Sequence, residues 1–521
     1  ATQQFFQNIK ILLCNIAIML PKKTASLCPV CKKVLKAEVF EKDGKVMIRK
    51  ECDEHGVFED VYWSDVEMFL KAEKWMAPEQ KVKNPKYPVV DGCPFDCGLC
   101  DAHKTPTLLA NIDITNRCNL RCPICFANAN ASGYVYELSY KQVVAMLRLL
   151  MENEPKPYAI QFSGGEPTIH PDFLKMVKAA KELGFAQIQV ATNGLKLAEN
   201  ADFAQQLVDA GMNTVYLQFD GIDERVYELA RGRKLFEVKK KAIEACRNTK
   251  PKPLSTVLVP TIVNTINDDQ IGKIFRFAIE NIDVIRGINF QPVSFSGRIE
   301  DEDRKKQRFT IPDLAKRLEE ETDGLISRKD WYPVPCVVPL FELAMAMDGK
   351  LRAEFTIHPH CGMATYVFVR GDEIIPITHF VDVDAFLEDA KRIAEEIKGS
   401  KLAKIKGLAK AMKLLKYIDE EKMPEGMNVK ELIRELLGKR DRSTLAKFHW
   451  QSLYIGTMHF QDLYNYDIQR VMRCGIHYVT PDGRIIPFCA YNTGPTYREE
   501  VEKRFSIPLE EWRKKYGESG L

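Results

Sequence analysis

Cys118, Cys122 and Cys125 lie on one short segment, with three and then two residues between them. Thiolates this close in the chain converge readily on a metal, whereas they pair awkwardly with one another as disulfides. On a cubane iron–sulfur cluster they would hold three irons and leave the fourth open to a ligand. A zinc knuckle or a purely structural cluster is the alternative interpretation of the spacing alone.

A second triplet, Cys93, Cys97 and Cys100, has the same spacing and lies upstream of the first. We expect it to hold an auxiliary 4Fe–4S cluster, which needs a fourth ligand or keeps an open iron. His103 is the nearest candidate for that ligand, although a lone histidine is usually structural. The triplet therefore predicts a second cluster of a different kind from the first.

Two residues separate Cys28 from Cys31, and two separate Cys52 from His55. Paired knuckles of this type bind one tetrahedral ion, zinc or iron, and close its coordination. Because no position stays open, we expect this ion to be structural or to relay electrons rather than to act as the catalyst.

Four further cysteines are spread widely between positions 336 and 489. We expect them to hold a third cluster together, and buried free thiols are the alternative. The last of them ends a predicted hairpin, Gly475–Cys489, that turns at Pro481–Gly483. Cys14 and Cys246 are left over from the 15 cysteines and are predicted to be core residues. The four cysteines are Cys336, Cys361, Cys474 and Cys489.

The middle of the chain alternates short apolar runs with amphipathic stretches. This β-α-β-α order favours parallel strands joined by right-handed crossovers. About six such units predict an α/β fold with a partial (β/α)6 barrel, in which chemistry lies at the carboxyl ends of the strands. The predicted strands are 108–115, 158–163, 186–192, 214–220, 255–260 and 287–292, and the predicted helices are 139–153, 171–183, 202–210, 236–248 and 268–279.

Polar motifs follow four of these strands at the point where each one ends. The cysteine loop follows the first strand and Gly164-Gly165-Glu166 the second. Asn193 follows the third and Asp220 the fourth. Carboxyl ends of parallel strands meet at one face of a barrel, so we expect these motifs to build one site there.

The length of 521 residues suggests about two to four domains. We place boundaries to give a metal-binding domain (1–85), an auxiliary-cluster segment (86–106), the barrel (107–300) and a C-terminal α+β auxiliary-cluster domain (301–521). A net charge of +3 does not indicate a nucleic-acid binder. Clustered cysteines favour a reducing cytoplasm, with a peripheral position on the inner membrane face as an alternative.

Two segments bear on membrane contact. Ile9–Leu20 is apolar but short, and is predicted to be a buried helix or a surface anchor rather than a signal peptide. Lys398–Lys416 carries seven lysines among apolar residues and could lie on an anionic membrane. Its apolar phase is imperfect, so a solvated surface helix is the favoured interpretation.

The cysteine loop and the Gly-Gly-Glu-Pro motif resemble the radical S-adenosylmethionine (SAM) superfamily, over roughly residues 108–300. The resemblance implies that the Cys118 loop is catalytic, with SAM on the open iron and cleaved to a 5′-deoxyadenosyl radical. From the residues alone, the polar side chains after the third and fourth strands could instead cap helices or satisfy turns. The implied SAM contacts are Phe126, Gly164, Gly165, Glu166, Pro167, Asn193, Gln218 and Asp220.

The order of motifs over nearly the whole chain resembles the archaeal tetraether lipid synthases. This resemblance implies three 4Fe–4S clusters, SAM and one mononuclear iron or zinc. It also implies carbon–carbon coupling of the terminal methyl groups of isoprenoid chains, with archaeal phospholipid at the membrane surface as substrate and an external electron donor. A radical SAM peptide maturase and a non-catalytic iron–sulfur electron-transfer protein are the alternatives. Against the last, an electron carrier needs no Gly-Gly-Glu-Pro motif.

Overall fold

The structure is a computed structural model that describes residues 20–299, 303–370, 373–423 and 452–517. Cys14 and all but the last residue of the apolar segment Ile9–Leu20 lie outside the described residues.

A four-stranded antiparallel sheet opens the described chain, with its strands in sequence order. Alternate residues of the third strand are buried, as expected for a sheet with one solvated face. The helix that follows begins at the Asp65 cap, whose carboxylate accepts from the Met68 N–H at 2.8 Å. These elements are β1 (Lys22–Leu27), β2 (Val34–Lys42), β3 (Lys45–Cys52), β4 (Gly56–Trp63) and α1 (Val66–Glu73).

The barrel is built from six parallel strands, paired in the order β5, β7, β8, β9, β10 and β12. Helices on its outer face turn apolar residues inward, which confirms the predicted partial barrel. The elements are β5 (Leu109–Thr115), β6 (Tyr134–Tyr136), α2 (Tyr140–Met151), β7 (Ala159–Gly164), α3 (Phe173–Glu182), β8 (Gln187–Thr192), α4 (Leu195–Glu199), α5 (Asp202–Ala210), β9 (Thr214–Gln218), α6 (Glu224–Arg231), α7 (Phe236–Arg247), β10 (Ser255–Val259), β11 (Thr261–Ile262), α8 (Ile271–Glu280) and β12 (Ile285–Pro292).

The C-terminal part adds one parallel strand to each open edge of this barrel. Strand β16 pairs with β12, with Gly287 opposite Tyr454, and β17 pairs with β5, with Ile476 opposite Leu109. The region therefore closes around the barrel instead of forming a separate body. Its elements are α9 (Arg304–Gln307), α10 (Ile311–Glu321), β13 (Tyr332–Pro333), α11 (Val338–Asp348), β14 (Gly362–Arg370), β15 (Glu373–Pro376), α12 (Val383–Ile397), α13 (Ala403–Ala411), β16 (Ser452–Met458), α14 (Ile468–Met472), β17 (Ile476–Val479), β18 (Ile485–Pro487), α15 (Phe488–Asn492), α16 (Tyr497–Arg504), β19 (Ser506–Pro508) and α17 (Leu509–Tyr516).

The lysine-rich segment forms α13, which packs on α11 and α12 through a small apolar cluster. Ala403 and Ala411 are buried there, while Ile405 is 70% exposed. The helix therefore lies on the protein surface with its lysines in solvent. Among the described residues, no helix has both the length and the apolar character needed to cross a bilayer.

Candidate active site and metal centres

The first cysteine loop starts directly after β5 and is held by one asparagine side chain. The side-chain oxygen of Asn130 accepts from the Cys118 N–H (3.1 Å). Its side-chain NH2 group donates to the backbone carbonyls of Cys118 (2.7 Å) and Leu120 (3.1 Å). Further along, the backbone of Cys125 pairs with that of Arg298 by two hydrogen bonds of 2.9 Å. These hydrogen bonds define the backbone path of the loop near both of its ends.

Gly164 and Gly165 bring the end of β7 against this loop. A Cβ on Gly164 would lie 2.2 Å from the Thr115 carbonyl oxygen, and one on Gly165 would lie 2.2 Å from that of Arg117. The Gly165 N–H donates to the Thr115 carbonyl at 2.7 Å. Both positions exclude a side chain because the backbone of one segment lies directly against the backbone of the other.

Glu166 is buried and its carboxylate is surrounded by hydrogen-bond donors. One oxygen accepts from the hydroxyls of Thr168 (2.6 Å) and Thr192 (2.8 Å), and the other accepts from the Asn193 N–H (2.8 Å). Asn193 in turn donates from its side chain to Asn119 in the cysteine loop (2.7 Å). Glu166 thus fixes the loop after β8 against the cysteine loop, while one edge still faces the cavity.

Asp220 points away from the cavity and forms a buried ion pair. Arg231 donates to both of its carboxylate oxygens (2.7 and 2.8 Å) and also to the Ile124 carbonyl (2.7 Å). The buried Lys239 ammonium joins the Asn193 carbonyl (2.6 Å) to the Gln218 side chain (2.8 Å). Of the predicted SAM contacts, Asp220 and Pro167 lie outside the cavity lining, and the other six line it.

The cavity opens at the carboxyl ends of the barrel strands and contains all three thiols of the first triplet. Phe126 forms part of its wall and stacks on Phe488, with ring centroids 5.1 Å apart. Deeper in the barrel, Arg498 from α16 is paired with Asp113. Side-chain amides provide much of the remaining polar lining, namely those of Asn111, Gln161, Asn193, Gln218, Asn289 and Gln291.

The donor set of this loop fits an iron–sulfur cluster. Burial raises the pKa of the Cys118 and Cys122 thiols, which a bound metal would offset by stabilising the thiolates. The three sulfurs do not lie as close together as ligands of one ion do. Buried or half-buried guanidinium groups of Arg231 and Arg298 surround the loop and suit an anionic centre.

The N-terminal knuckle has the geometry of a single-ion site. The ligand atoms of Cys28, Cys31, Cys52 and His55 all lie within 4.8 Å of one another. The Cys52 sulfur is 3.4 Å from His55 Nδ1 and 3.9 Å from the Cys31 sulfur. The loop after β1 and the turn after β3 therefore bring the two knuckles together as their spacing predicts.

The upstream triplet lines one small cavity together with His103. The His103 Nε2 atom is engaged elsewhere, since it lies 2.8 Å from the Cys474 carbonyl and 3.1 Å from His477 Nε2. Only Nδ1 of this ring is then left for a metal. The triplet is formed by Cys93, Cys97 and Cys100.

The four dispersed cysteines do not all meet. Burial raises the pKa of the Cys474 and Cys489 thiols, and the neighbouring Cys361 raises both further, so these three cysteines lie near one another. Cys336 lies elsewhere, and the charged neighbours acting on its thiol are Asp384 and Lys71. The structure therefore does not bring all four together, because the charged neighbours of the Cys336 thiol are not those of the other three. Cys246 is a core residue of α7, as predicted.

Comparison with known protein families identifies the class to which this protein belongs. The model of the Radical SAM superfamily matches residues 112–278, and that of an HMPTM N-terminal zinc ribbon domain matches residues 20–64. Together with the barrel and its cysteine loop, these matches define a radical SAM enzyme with a metal-binding ribbon. The protein therefore uses a 4Fe–4S cluster and SAM, and its ribbon binds a mononuclear metal.

A relative in Methanocaldococcus jannaschii, 7,8-dihydro-6-hydroxymethylpterin dimethyltransferase, is 50% identical over 95% of this chain and 97% of its own length. The chain belongs to the family of that protein. A probable GTP 3′,8-cyclase of Methanothermobacter marburgensis is 26% identical over 44% of this chain and 72% of its own. The solved structure of Streptococcus suis SuiB bound to precursor peptide SuiA is 18% identical, covers 44% of this chain and 48% of its own, and has a TM-score of 0.34.

The full-length relative contradicts the expectation of lipid coupling. Its name gives a pterin as the substrate, so the expected phospholipid partner and the peripheral membrane position are corrected with it. The polar lining of the cavity agrees with this correction. Hydrocarbon chains bound there would remove water from the amide side chains and from the Asp113–Arg498 pair without offering hydrogen bonds in return, which is unfavourable.

Several functional residues carried no signal in the sequence. Arg231, Arg298 and Lys239 contact the cysteine loop or the loops beside it only after folding. Arginine and lysine are ordinarily surface residues, so pattern alone assigns them to solvent. Beside Arg298, a Cβ on Gly297 would lie 2.5 Å from the Cys125 carbonyl oxygen, so this segment packs closely against the cysteine loop.

Proposed function

We propose that this enzyme methylates a dihydropterin by radical SAM chemistry. The observation that carries the proposal is the pterin dimethyltransferase that is 50% identical over 95% of the chain. A match over 95% of the chain extends well beyond the barrel region, which the Radical SAM model matches at residues 112–278.

The cavity supports a planar, hydrogen-bonding substrate. Amide side chains of Gln161, Asn289 and Gln291 line the barrel interior, and each offers both a donor and an acceptor. A pterin ring carries donors and acceptors around its edge. The aromatic wall of Phe126 and Phe488 offers a face for stacking.

When bound, the Cys118–Cys122–Cys125 cluster supplies one electron to SAM, which gives methionine and a 5′-deoxyadenosyl radical able to take a substrate hydrogen atom. The residues of the chain position the reactants. Glu166 and Asn193 hold together the loops that would carry SAM, and Asn130 holds the cysteine loop. Phe126 and Phe488 cover one wall and limit the access of water to the radical.

The test is anaerobic incubation of the cluster-loaded enzyme with SAM, a strong reductant and 7,8-dihydro-6-hydroxymethylpterin, followed by mass spectrometry. We expect 5′-deoxyadenosine and pterin products heavier by one and two methyl groups. In the proposed reaction, a second SAM is the methyl source for each methylation and leaves as S-adenosylhomocysteine, with electrons from the reductant, so label from the SAM methyl group should appear in both products. Cys118→Ala should abolish both products, whereas Cys246→Ala, a buried cysteine outside the metal sites, should retain them.

The outcomes distinguish the assignment of the substrate from the assignment of the catalytic cluster. Deoxyadenosine without a methylated pterin would contradict the substrate assignment while leaving the SAM chemistry intact. Wild-type rates of deoxyadenosine formation in Cys118→Ala would contradict the assignment of the catalytic cluster itself.

A further inference from the structure

The cavity has an acidic group in its depth as well as at its mouth. Among the described residues, the carboxylates that line it belong to Glu166, after the end of β7, and to Asp113, within β5. Asp113 is 3% exposed, and its neighbour across the strands is Ser163 of β7. A molecule bound deep in the barrel therefore meets the Asp113 carboxylate.

The Asp113 carboxylate is held by one donor on each oxygen. The Ser163 hydroxyl donates to Oδ1 at 2.6 Å, and Nη1 of Arg498 donates to Oδ2 at 2.5 Å. Within the described residues, no third donor contacts these oxygens. Because a carboxylate has about four lone-pair sites, each oxygen can accept a further hydrogen bond from a ligand.

Each N–H group of the Arg498 guanidinium already has a partner in the protein. Its Nε and Nη2 donate to the side-chain oxygen of Asn492 at 2.9 and 2.8 Å, and Nη2 also donates to the Tyr478 hydroxyl at 3.3 Å. Its Nη1 donates to Asp113 and, at 3.1 Å, to Glu502. The charge that a ligand meets here is therefore that of the carboxylate rather than that of the guanidinium.

Glu502 makes this buried group rich in acceptors. One guanidinium lies between two carboxylates, those of Asp113 and Glu502. Glu502 is 4% exposed and lies outside the cavity lining. Burial raises the pKa of its carboxyl, Arg498 opposes this rise and Asp113 adds to it. A ligand that donates hydrogen bonds to Asp113 would offset this excess of negative charge.

Side-chain amides beside Asp113 form a directed chain across three strands. Gln189 of β8 donates to Gln161 of β7 at 2.8 Å, and Gln161 donates to Asn111 of β5 at 3.0 Å. Asn111 accepts through its oxygen, so its NH2 group ends the chain as a donor. Asn111 and Asp113 are two residues apart in one strand and therefore face the same side, about 7 Å apart. Strand β5 thus presents a donor and then an acceptor to the cavity.

We propose that Asp113 binds the 2-amino-4-oxopyrimidine edge of the dihydropterin, accepting from its 2-amino group and from its N3–H. The NH2 group of Asn111 donates to the 4-oxo oxygen. This contact presupposes the substrate class of the proposed function. The edge carries two adjacent N–H donors followed by an oxo acceptor, which matches the order of groups on β5. A bidentate contact to a carboxylate fixes the orientation of the ring as well as its position.

This orientation turns the reactive half of the ring toward the cysteine loop. The saturated C–H bonds of 7,8-dihydro-6-hydroxymethylpterin lie at C7 and in the hydroxymethyl group, both opposite the bound edge. Strand β5 runs from Asp113 toward the Cys118 loop, and the cavity contains both residues. Tyr478 and Phe488 line the same cavity with ring centroids 5.3 Å apart, and they offer a face against which the ring can stack.

The test is a change of substrate preference in the cluster-loaded, full-length enzyme. In 7,8-dihydro-6-hydroxymethyllumazine an oxo group replaces the 2-amino group, so position 2 accepts a hydrogen bond instead of donating one. The side chain of Asp113→Asn can donate to that oxygen and accept from N3–H, whereas its NH2 group opposes the 2-amino group of the pterin. We expect kcat/KM for the pterin to fall about 100-fold and the preference for the lumazine to rise by a similar factor.

Glu502→Gln is the matched control, because it removes the other carboxylate from the same guanidinium at a position outside the cavity. Its preference between pterin and lumazine should equal that of the wild type. Asp113→Asn should keep its iron and still form deoxyadenosine, since Glu502 continues to pair with Arg498. If Asp113→Asn does not fold, the wild type still tests the contact, since it should prefer the pterin by about 100-fold.

The outcomes separate this contact from the identity of the substrate. If the wild type methylates the pterin but Asp113→Asn keeps the wild-type preference, or shifts no more than Glu502→Gln, the contact is wrong and the proposed function stands. A wild type that methylates pterin and lumazine equally well has the same meaning. Guanine carries the same edge, so guanosine is the probe for that alternative. Methylation of guanosine in place of the pterin would overturn the contact together with the proposed function.

Discussion

Arg231 ties Asp220 to the first cysteine loop: one guanidinium donates to both oxygens of that carboxylate and, at 2.7 Å, to the Ile124 carbonyl between Cys122 and Cys125. Both side chains of the ion pair are buried. The residue after strand β9 thus positions the cysteine loop through an arginine eleven residues further along the chain.

Asp220→Asn should therefore destabilise the protein strongly. It leaves the Arg231 charge buried without its anion, which costs about 3–5 kcal/mol of the free energy of unfolding. Urea denaturation of the metal-free protein measures this loss. The control is Asp269→Asn, since its pair with Arg225 is exposed and 3.7 Å long, and we expect a change below about 1 kcal/mol. Equal losses in the two variants would contradict the role of the buried pair.

Gly165→Ala should displace the cysteine loop. A Cβ there would lie 2.2 Å from the Arg117 carbonyl oxygen, which belongs to rigid backbone. We expect a lower iron content and deoxyadenosine formation slower by about tenfold or more, because misplacement of reacting groups by about 1 Å costs about 100-fold. Gly184→Ala is the control: its Cβ meets open space at a φ of +89°, so it should lose about 1–2 kcal/mol of stability but keep its rate. Normal loading of Gly165→Ala would count against this account.

The lowered pKa of the buried Lys239 should make the stability of the protein depend on pH. Burial lowers the pKa of its ammonium to about 7, from an ordinary value of 10.5. Between these values the unfolded chain binds a proton that the folded protein does not, so the free energy of unfolding should rise with pH.

The measurement compares the metal-free wild type with Lys239→Met between pH 7 and pH 10. The difference in free energy of unfolding should increase in favour of the wild type by up to about 1.4 kcal/mol per pH unit. Groups common to both proteins cancel in this comparison. A difference that stays constant with pH would show that Lys239 remains charged.

Removal of the ribbon metal should loosen the N-terminal sheet and spare SAM cleavage. Cys52→Ser deletes one ligand of a closed tetrahedral site, so we expect the loss of one metal ion and faster amide exchange in residues 22–63. Deoxyadenosine formation with excess chemical reductant should continue. Cys246→Ala provides the control for loss of a buried thiol. Abolished SAM cleavage in a normally folded Cys52→Ser protein would assign the ribbon a catalytic role.

The sequence determined the barrel strands and the local metal motifs of this protein. Five of the six predicted strands begin within one residue of their observed starts, and the sixth, predicted at 287, begins at Ile285. Apolar runs bounded by turn residues and helical periodicity are local signals, and they agree with the fold here. The ribbon site likewise follows from spacing, because its two knuckles each lie within a few residues.

Only the tertiary structure decided which distant groups meet. Cys361 and Arg470 are 109 residues apart, and nothing between them encodes their contact. Asp220 has the position of a ligand contact in the sequence, yet Arg231 takes its carboxylate away from the cavity. Strands β16 and β17 reach opposite edges of the barrel by the path of the whole C-terminal region. Spacing fixes geometry over a few residues, whereas contacts across hundreds depend on how all the elements pack.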